Sequence, residues 1–160
     1  MIFPYPKEYE SQELHTLMDS LGLFISHHEV FYTPPRGKLP IHVDHHKFSS
    51  QSPNMAKINW ILDCTGGDMV WWEPKPGTPL KYHKTPIGTE YLMYEEDQVT
   101  EVYRAEIGES TFINAGVPHS IHNNTDAGRW CLSHNINYKS DRTKNILISE
   151  VPELFKKYVL

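Results

Sequence analysis

Two short stretches of this chain carry residue types that can do chemistry together. His42-Val43-Asp44 is followed 75 residues later by His119, and Arg129 stands ten residues beyond that. Two histidines and one carboxylate can hold one face of an octahedral ion and leave three positions open, a ligand set suited to Fe(II) and oxygen activation. An arginine nearby supplies a fixed, bidentate clamp for a carboxylate. The combination points to a metal centre with an organic diacid beside it.

Strands must position these groups. From Leu23 to about Asn137 the chain reads as strand and turn. Leu23–Thr33 is rich in β-branched and aromatic residues and stops at Pro34-Pro35-Arg36-Gly37. Met55–Asp63 and Met69–Trp72 flank Thr65-Gly66-Gly67, which predicts a hairpin. Glu90–Tyr94, Val99–Ile107, Ser110–Asn114, His119–Asn123 and Arg129–Asn137 follow, parted by Gly, Pro, Asn and Asp. Leu14, Leu17, Met18 and Leu21 recur at helical spacing between Ser11 and Gly22, so an amphipathic helix of about three turns precedes the strands. Val151–Tyr158 reads as a short closing helix. The fold class is mainly β, a sandwich or jelly roll with an N-terminal and a C-terminal helix. Glu73–Gly88, with four prolines and two glycines, reads as a long active-site loop.

The spacing of the second stretch makes a geometric prediction. With Asn124–Gly128 as a hairpin turn, Asn123 pairs with Arg129, Ile121 with Cys131 and His119 with Ser133, so all six side chains share one face. Arg129 then lies roughly 13 Å along the ladder from His119, a gap that an extended arginine and a five-carbon diacid can span.

Composition bounds the rest. The 160 residues fit one domain, 1–160, with a sizeable core. A net charge of -5 with scattered basic residues argues against a nucleic-acid surface. Cys64 and Cys131 are too few for a disulfide scaffold, and a reducing cytoplasm fits. No stretch reaches a membrane-spanning length, and Met1-Ile2-Phe3-Pro4-Tyr5-Pro6-Lys7-Glu8 does not read as a signal peptide. His27-His28 and His45-His46 read as solvated pairs, because neighbours on a strand point to opposite faces.

In this order, His-x-Asp, a distal histidine and an arginine ten residues on, the chain resembles the 2-oxoglutarate/Fe(II)-dependent dioxygenases, whose fold is a cupin-like double-stranded β-helix. Val117-Pro118-His119-Ser120-Ile121-His122-Asn123-Asn124 and Gly128-Arg129-Trp130-Cys131-Leu132-Ser133 are similar to that family's second-histidine and arginine strands, nearest to aspartyl/asparaginyl hydroxylase-like members. Some of those members lack the carboxylate ligand, which Asp44 supplies here. The resemblance implies that His42, Asp44 and His119 bind Fe(II). It implies that Arg129 pairs with the distal carboxylate of the cosubstrate 2-oxoglutarate, helped by Ser133, although Arg129-Trp130-Cys131 departs from the arginine-x-serine form. Asn59, in Lys57-Ile58-Asn59-Trp60, is the candidate for a further cosubstrate contact. The implied reaction is O2-dependent hydroxylation of an amino-acid side chain or small metabolite, with succinate and CO2 as co-products. Pairing of two copies as a homodimer stays open.

Other readings use the same residues. Gly108, Asn114-Ala115-Gly116, His119 and Asn123 resemble the second cupin motif, with Asn114 where proline is usual. A cupin-type isomerase or non-oxoglutarate dioxygenase is therefore the alternative, and Arg129 has no required role in it. A non-catalytic ligand-binding barrel is the third. At the level of single residues, Arg129 can end a turn or pair with Asp126. His122, out of phase with His119, reads as exposed. His134 is out of phase with Arg129. His83 reads as surface, Lys57 as an outward charge, and one of Trp71 and Trp72 as core. Tyr82, Tyr91, Tyr94 and Tyr103 read mostly as amphipathic.

Overall fold

The computed structural model describes residues 1–6, 10–45, 54–62, 66–79, 81–86 and 88–158. His46, Cys64 and the turn residue Thr65 lie outside these, as does the side chain of His45. The strands are β1 (Ile2–Pro4), β2 (Leu23–Thr33), β3 (Ile41–His45), β4 (Ala56–Ile61), β5 (Asp68–Pro74), β6 (Lys81–Lys84), β7 (Glu90–Tyr94), β8 (Val99–Glu106), β9 (Thr111–Asn114), β10 (His119–His122) and β11 (Arg129–Tyr138). Helix α1 is Gln12–Ser20 and α2 is Val151–Leu154. The mainly β expectation with two terminal helices is met.

The strands form two antiparallel sheets. The first has the order β1-β2-β11-β4-β9 and the second β6-β7-β3-β10-β5-β8. Strands β2, β4, β9 and β11 belong to the first sheet, and β3, β5, β8 and β10 to the second, so the chain crosses repeatedly between them. One face of each sheet therefore looks into a shared interior. Met69, Ile107, Ile113, Ala115 and Ile121 fill part of it. The other face of the first sheet is covered by the helices: Met18 of α1, with Val151 and Phe155, packs on Leu23, Ala56, Ile58 and Ile136. Ile136 is fully buried, a burial worth about 1.5–3 kcal/mol. This double coverage explains why β11 is buried on both faces over much of its length.

Helix α1 begins where the sequence places it. Ser11 accepts a hydrogen bond from the Leu14 N–H at 3.2 Å, satisfying one of the free donors of the first turn. The chain leaves after Leu21 through Gly22, whose φ of 70° suits glycine.

Two expected hairpins do not form. Strands β4 and β5 belong to different sheets, as do β10 and β11. His119 thus pairs with His42 and Trp71, while Ser133 pairs with Glu29 and Asn59. The segment between β10 and β11 is organised by Asn123. Its amide donates to the carbonyls of Thr33, Pro34 and Ala127, and its Oδ1 accepts from the N–H and hydroxyl of Thr125. These bonds tie the turn to the end of β2 and carry the chain into the other sheet. Glu73–Gly88 is not one long loop either, because Lys81–Lys84 pairs with β7 at the sheet edge. Among the described residues no helix is long and apolar enough to cross a membrane.

Candidate metal centre

The second sheet presents one row of side chains to the interior. His42 of β3 is in register with His119 of β10 on one side and Met93 of β7 on the other. Asp44, two residues beyond His42, returns to the same face by strand alternation. One potential ligand atom from each of His42, Asp44 and His119 lies within 4.8 Å of the others. All three residues are buried.

Backbone carbonyls set the tautomer of both imidazoles. Nδ1 of His42 lies 2.8 Å from the Pro40 carbonyl, and Nδ1 of His119 lies 2.9 Å from the Val117 carbonyl. A carbonyl only accepts, so each Nδ1 carries a proton, and in the neutral ring the free lone pair is then on Nε2. In both cases the acceptor lies two residues before the histidine. Burial, then the neighbouring His42, lowers the His119 pKa to about 4, which keeps it neutral near pH 7. Burial works against ionisation of Asp44, but the Lys57 charge, followed by the two histidines, holds its carboxyl well below the usual range.

Lys57 is the main surprise. Its ammonium is fully buried and sits 2.8 Å from Oδ2 of Asp44 and 3.7 Å from Oε2 of Glu29. Glu29 in turn accepts from Thr89 at 2.5 Å and from the Tyr91 hydroxyl at 3.2 Å. Burial opposes ionisation of Glu29, yet His27, Lys57 and Thr89 bring its pKa down to about 2. Lys57 was expected to point outward. It points inward because it shares strand parity with Asn59, and two buried carboxylates neutralise it. That parity was visible in the sequence. The acceptor was not, since Glu29 comes from a strand 28 residues away.

The first sheet supplies the opposite wall. Arg129, Cys131 and Ser133 of β11 and Asn59 of β4 line the same cavity as the three candidate ligands. His42, Asp44, His119, Asn59, Arg129 and Ser133 therefore line one cavity, but His119 faces Arg129 and Ser133 from the other sheet and does not share a hairpin face with them. Arg129 is 2% exposed, its Nε has no hydrogen-bond partner, and among the described residues no carboxylate pairs with it. Gly67 packs on it: a Cβ there would lie 3.3 Å from Cδ of Arg129 and 3.1 Å from the His122 carbonyl, at a φ of +125°. Asp126 pairs with Arg36 at 2.8 Å.

Other residues fall elsewhere. His122 is buried, contrary to expectation, beside Ser120, Trp72 and Arg104. His134 lies on the far side of β11 from Ser133 and takes a hydrogen bond from Trp60. The indole of Trp71 donates to the Asn114 carbonyl and that of Trp72 to Ser120, and neither lines the cavity. Tyr82 and Tyr103 are exposed, and Tyr91 and Tyr94 are buried.

The donor set fits a divalent ion. Asp44 uses Oδ2 for Lys57, while its buried Oδ1 has no hydrogen-bond partner, although Nε2 of His42 stands 3.3 Å away. That leaves one carboxylate oxygen and two imidazole lone pairs facing one space. The free volume there is about 20 Å³, room for a single water-sized occupant.

No family model matches the chain, and no curated protein matches it. Solved structures overlap it in part. A cupin domain from Bordetella pertussis is 17% identical over 69% of this chain and 80% of that one, with a TM-score of 0.36. An oxalate oxidase in complex with the substrate analogue glycolate is 13% identical over 86% of this chain, with a TM-score of 0.40. A DMSP lyase from Ruegeria pomeroyi is 17% identical over 82% of this chain, with a TM-score of 0.34. The chain spans 57% of the oxidase and 45% of the lyase. Overlaps this shallow carry no argument about function.

Proposed function

We propose that this chain is a double-stranded β-helix enzyme that binds Fe(II) through His42, Asp44 and His119 and uses 2-oxoglutarate and O2 to hydroxylate a small-molecule or peptidyl substrate. The interleaved strand order supports the fold. The observation that carries the function is a buried arginine without a described counter-charge, in the cavity where three uncommitted donor atoms converge. A buried guanidinium is costly unless an anion meets it. A diacid can satisfy it with one carboxylate while the other end lies toward the metal.

Each residue then has a task. The Pro40 and Val117 carbonyls fix the orientation of the two imidazoles, with Nε2 as the ligand atom. Lys57 keeps Asp44 ionised and occupies its second oxygen. Arg129 binds the distal carboxylate, with Asn59 Oδ1 and Ser133 on the same wall to receive or give hydrogen bonds. Iron, when bound, would supply O2 activation coupled to decarboxylation of the cosubstrate. The cosubstrate must displace lining side chains, since the free volume admits only an ion or a water.

That tight volume favours one second reading, a cupin-type metal enzyme that takes no oxoglutarate. Anaerobic titration with Fe(II) and 2-oxoglutarate separates the two. A visible charge-transfer band that needs both components and weakens in Arg129→Ala supports the oxygenase. Iron binding without the band supports the second reading. Absence of metal binding leaves Lys57 as the counter-ion of Asp44 and a non-catalytic barrel.

A further inference from the structure

A second chamber, of about 120 Å³, lies against the other side of His42. It shares Phe31, Leu39 and His42 with the metal cavity, so these three side chains belong to the walls of both. Met93, the cross-strand neighbour of His42, forms part of its wall. His83 and Pro40 are exposed wall residues, which opens the chamber to solvent.

The chemistry of its wall is one-sided. No charged side chain stands among the described wall residues. Apart from the exposed His83 and Nε2 of His42, which faces the metal cavity, the polar groups of the wall are already engaged. The Tyr91 hydroxyl bonds Glu29, the Thr85 hydroxyl accepts from the Thr89 N–H, and Nδ1 of His42 is held by the Pro40 carbonyl. A carboxylate or ammonium placed here would lose water and meet no counter-charge, which is expensive. An apolar group would lose nothing and would rest on Phe31, Leu39 and Met93. The volume holds several water-sized groups, far more than the metal cavity.

We propose that this chamber is the substrate site, and that it holds an uncharged aliphatic or aromatic portion of the substrate beside His42. The proposal rests on the metal reading above and adds the substrate class. Any charged part of the substrate stays outside, toward His83.

The test uses the full chain with methyl-labelled methionine and three probes of one shape: benzyl alcohol, benzoate and benzylammonium. Benzyl alcohol is expected to shift the Met93 methyl resonance saturably, and each charged probe to bind at least tenfold more weakly. With the Ile2 and Leu39 methyl groups labelled as well, Met93→Trp, which fills the chamber, should abolish the shift that benzyl alcohol causes at those two residues. Met93→Ala, which enlarges it, should instead favour a bulkier alcohol and guards against a variant that merely misfolds. With Co(II) in the protein, benzyl alcohol should also perturb the visible absorption of the metal. Charged probes binding as well as the alcohol, or alcohol binding that both Met93 variants leave unchanged, would overturn the proposal. Co(II) bound but unresponsive to an alcohol that does bind would sever the chamber from the metal and overturn the substrate assignment alone. An alcohol-binding chamber in a protein that takes up no Co(II) would overturn the metal reading, and the assignment with it.

Discussion

The molecule holds two groups of histidines on opposite sides of one sheet, and they behave differently. His42 and His119 face the interior. His15, His28 and His134 gather on the outer face of the first sheet, around Glu10 and Trp60. There, His15 lies 2.6 Å and His28 3.4 Å from the Glu10 carboxylate, and Nδ1 of His134 accepts from the Trp60 indole at 3.1 Å. In the interior pair, backbone carbonyls occupy Nδ1 and leave Nε2 uncommitted. The difference is what each nitrogen is already bonded to. A histidine becomes a candidate ligand when a second group fixes its tautomer and nothing consumes its lone pair.

Substitutions can break this contrast. His42→Ala or Asp44→Ala should weaken Co(II) binding by roughly two orders of magnitude or more, since loss of supporting contacts alone costs about 10–100-fold. His28→Ala should leave it within about threefold, within the reach of small indirect effects. A direct Co(II) titration of the variants decides, and equal losses in both groups would erase the distinction.

Lys57→Met tests what separates the interior site from an ordinary ion pair. It strands Glu29 and Asp44 without their cation, and urea unfolding should show a loss of about 3–5 kcal/mol. Added divalent metal should restore part of that loss by binding the freed carboxylate. A variant as stable as the parent would show that Lys57 is not the counter-ion.

Arg129→Ala tests the facing wall. Removing a charge-assisted partner should weaken 2-oxoglutarate binding by about 1.5–3 kcal/mol while leaving Co(II) affinity intact. Simultaneous loss of both would place Arg129 in fold stability and not in ligand capture.

Both histidine groups also respond to pH. His119 and His134 are each lowered from 6.5 to about 4 in the folded state. Their folded pKa lies below the unfolded one, so their stabilising contribution is complete above pH 6.5 and is lost as pH falls toward 4. For His119 the loss amounts to roughly 3 kcal/mol, at 1.36 kcal/mol per unit. Urea midpoints across that window should fall in the metal-free protein, and a His134→Phe variant should show a shallower slope. A smaller loss of stability is expected from Trp60→Phe, about 1 kcal/mol for one buried hydrogen bond to His134.

Several of these features could be read from the chain alone. Leu23–Thr33 and Glu90–Tyr94 appear as strands at the bounds expected, because β-branched and aromatic runs between turn residues are local signals. The grouping of His42, Asp44 and His119 followed from residue type and order. The inward position of Lys57 was available from its parity with Asn59, but a lysine on a strand is ordinarily solvated, and only a buried acid changes that preference. Glu29 gave no sign of being that acid.

What the sequence by itself determined is therefore the inventory: mostly strands, two terminal helices, and a set of donors able to hold a divalent ion and an anion. What only the tertiary structure decided is pairing. Local turn residues state that the chain turns near Gly66-Gly67 and Asn124–Gly128, but not whether the next strand returns beside its predecessor or crosses to the facing sheet. That choice depends on which distant strands offer edges and which side chains, such as Asn123, tie the turn elsewhere. It placed His119 and Arg129 on opposite walls of one cavity, and it brought Glu29, Lys57 and Asp44 into a single buried chain of charge.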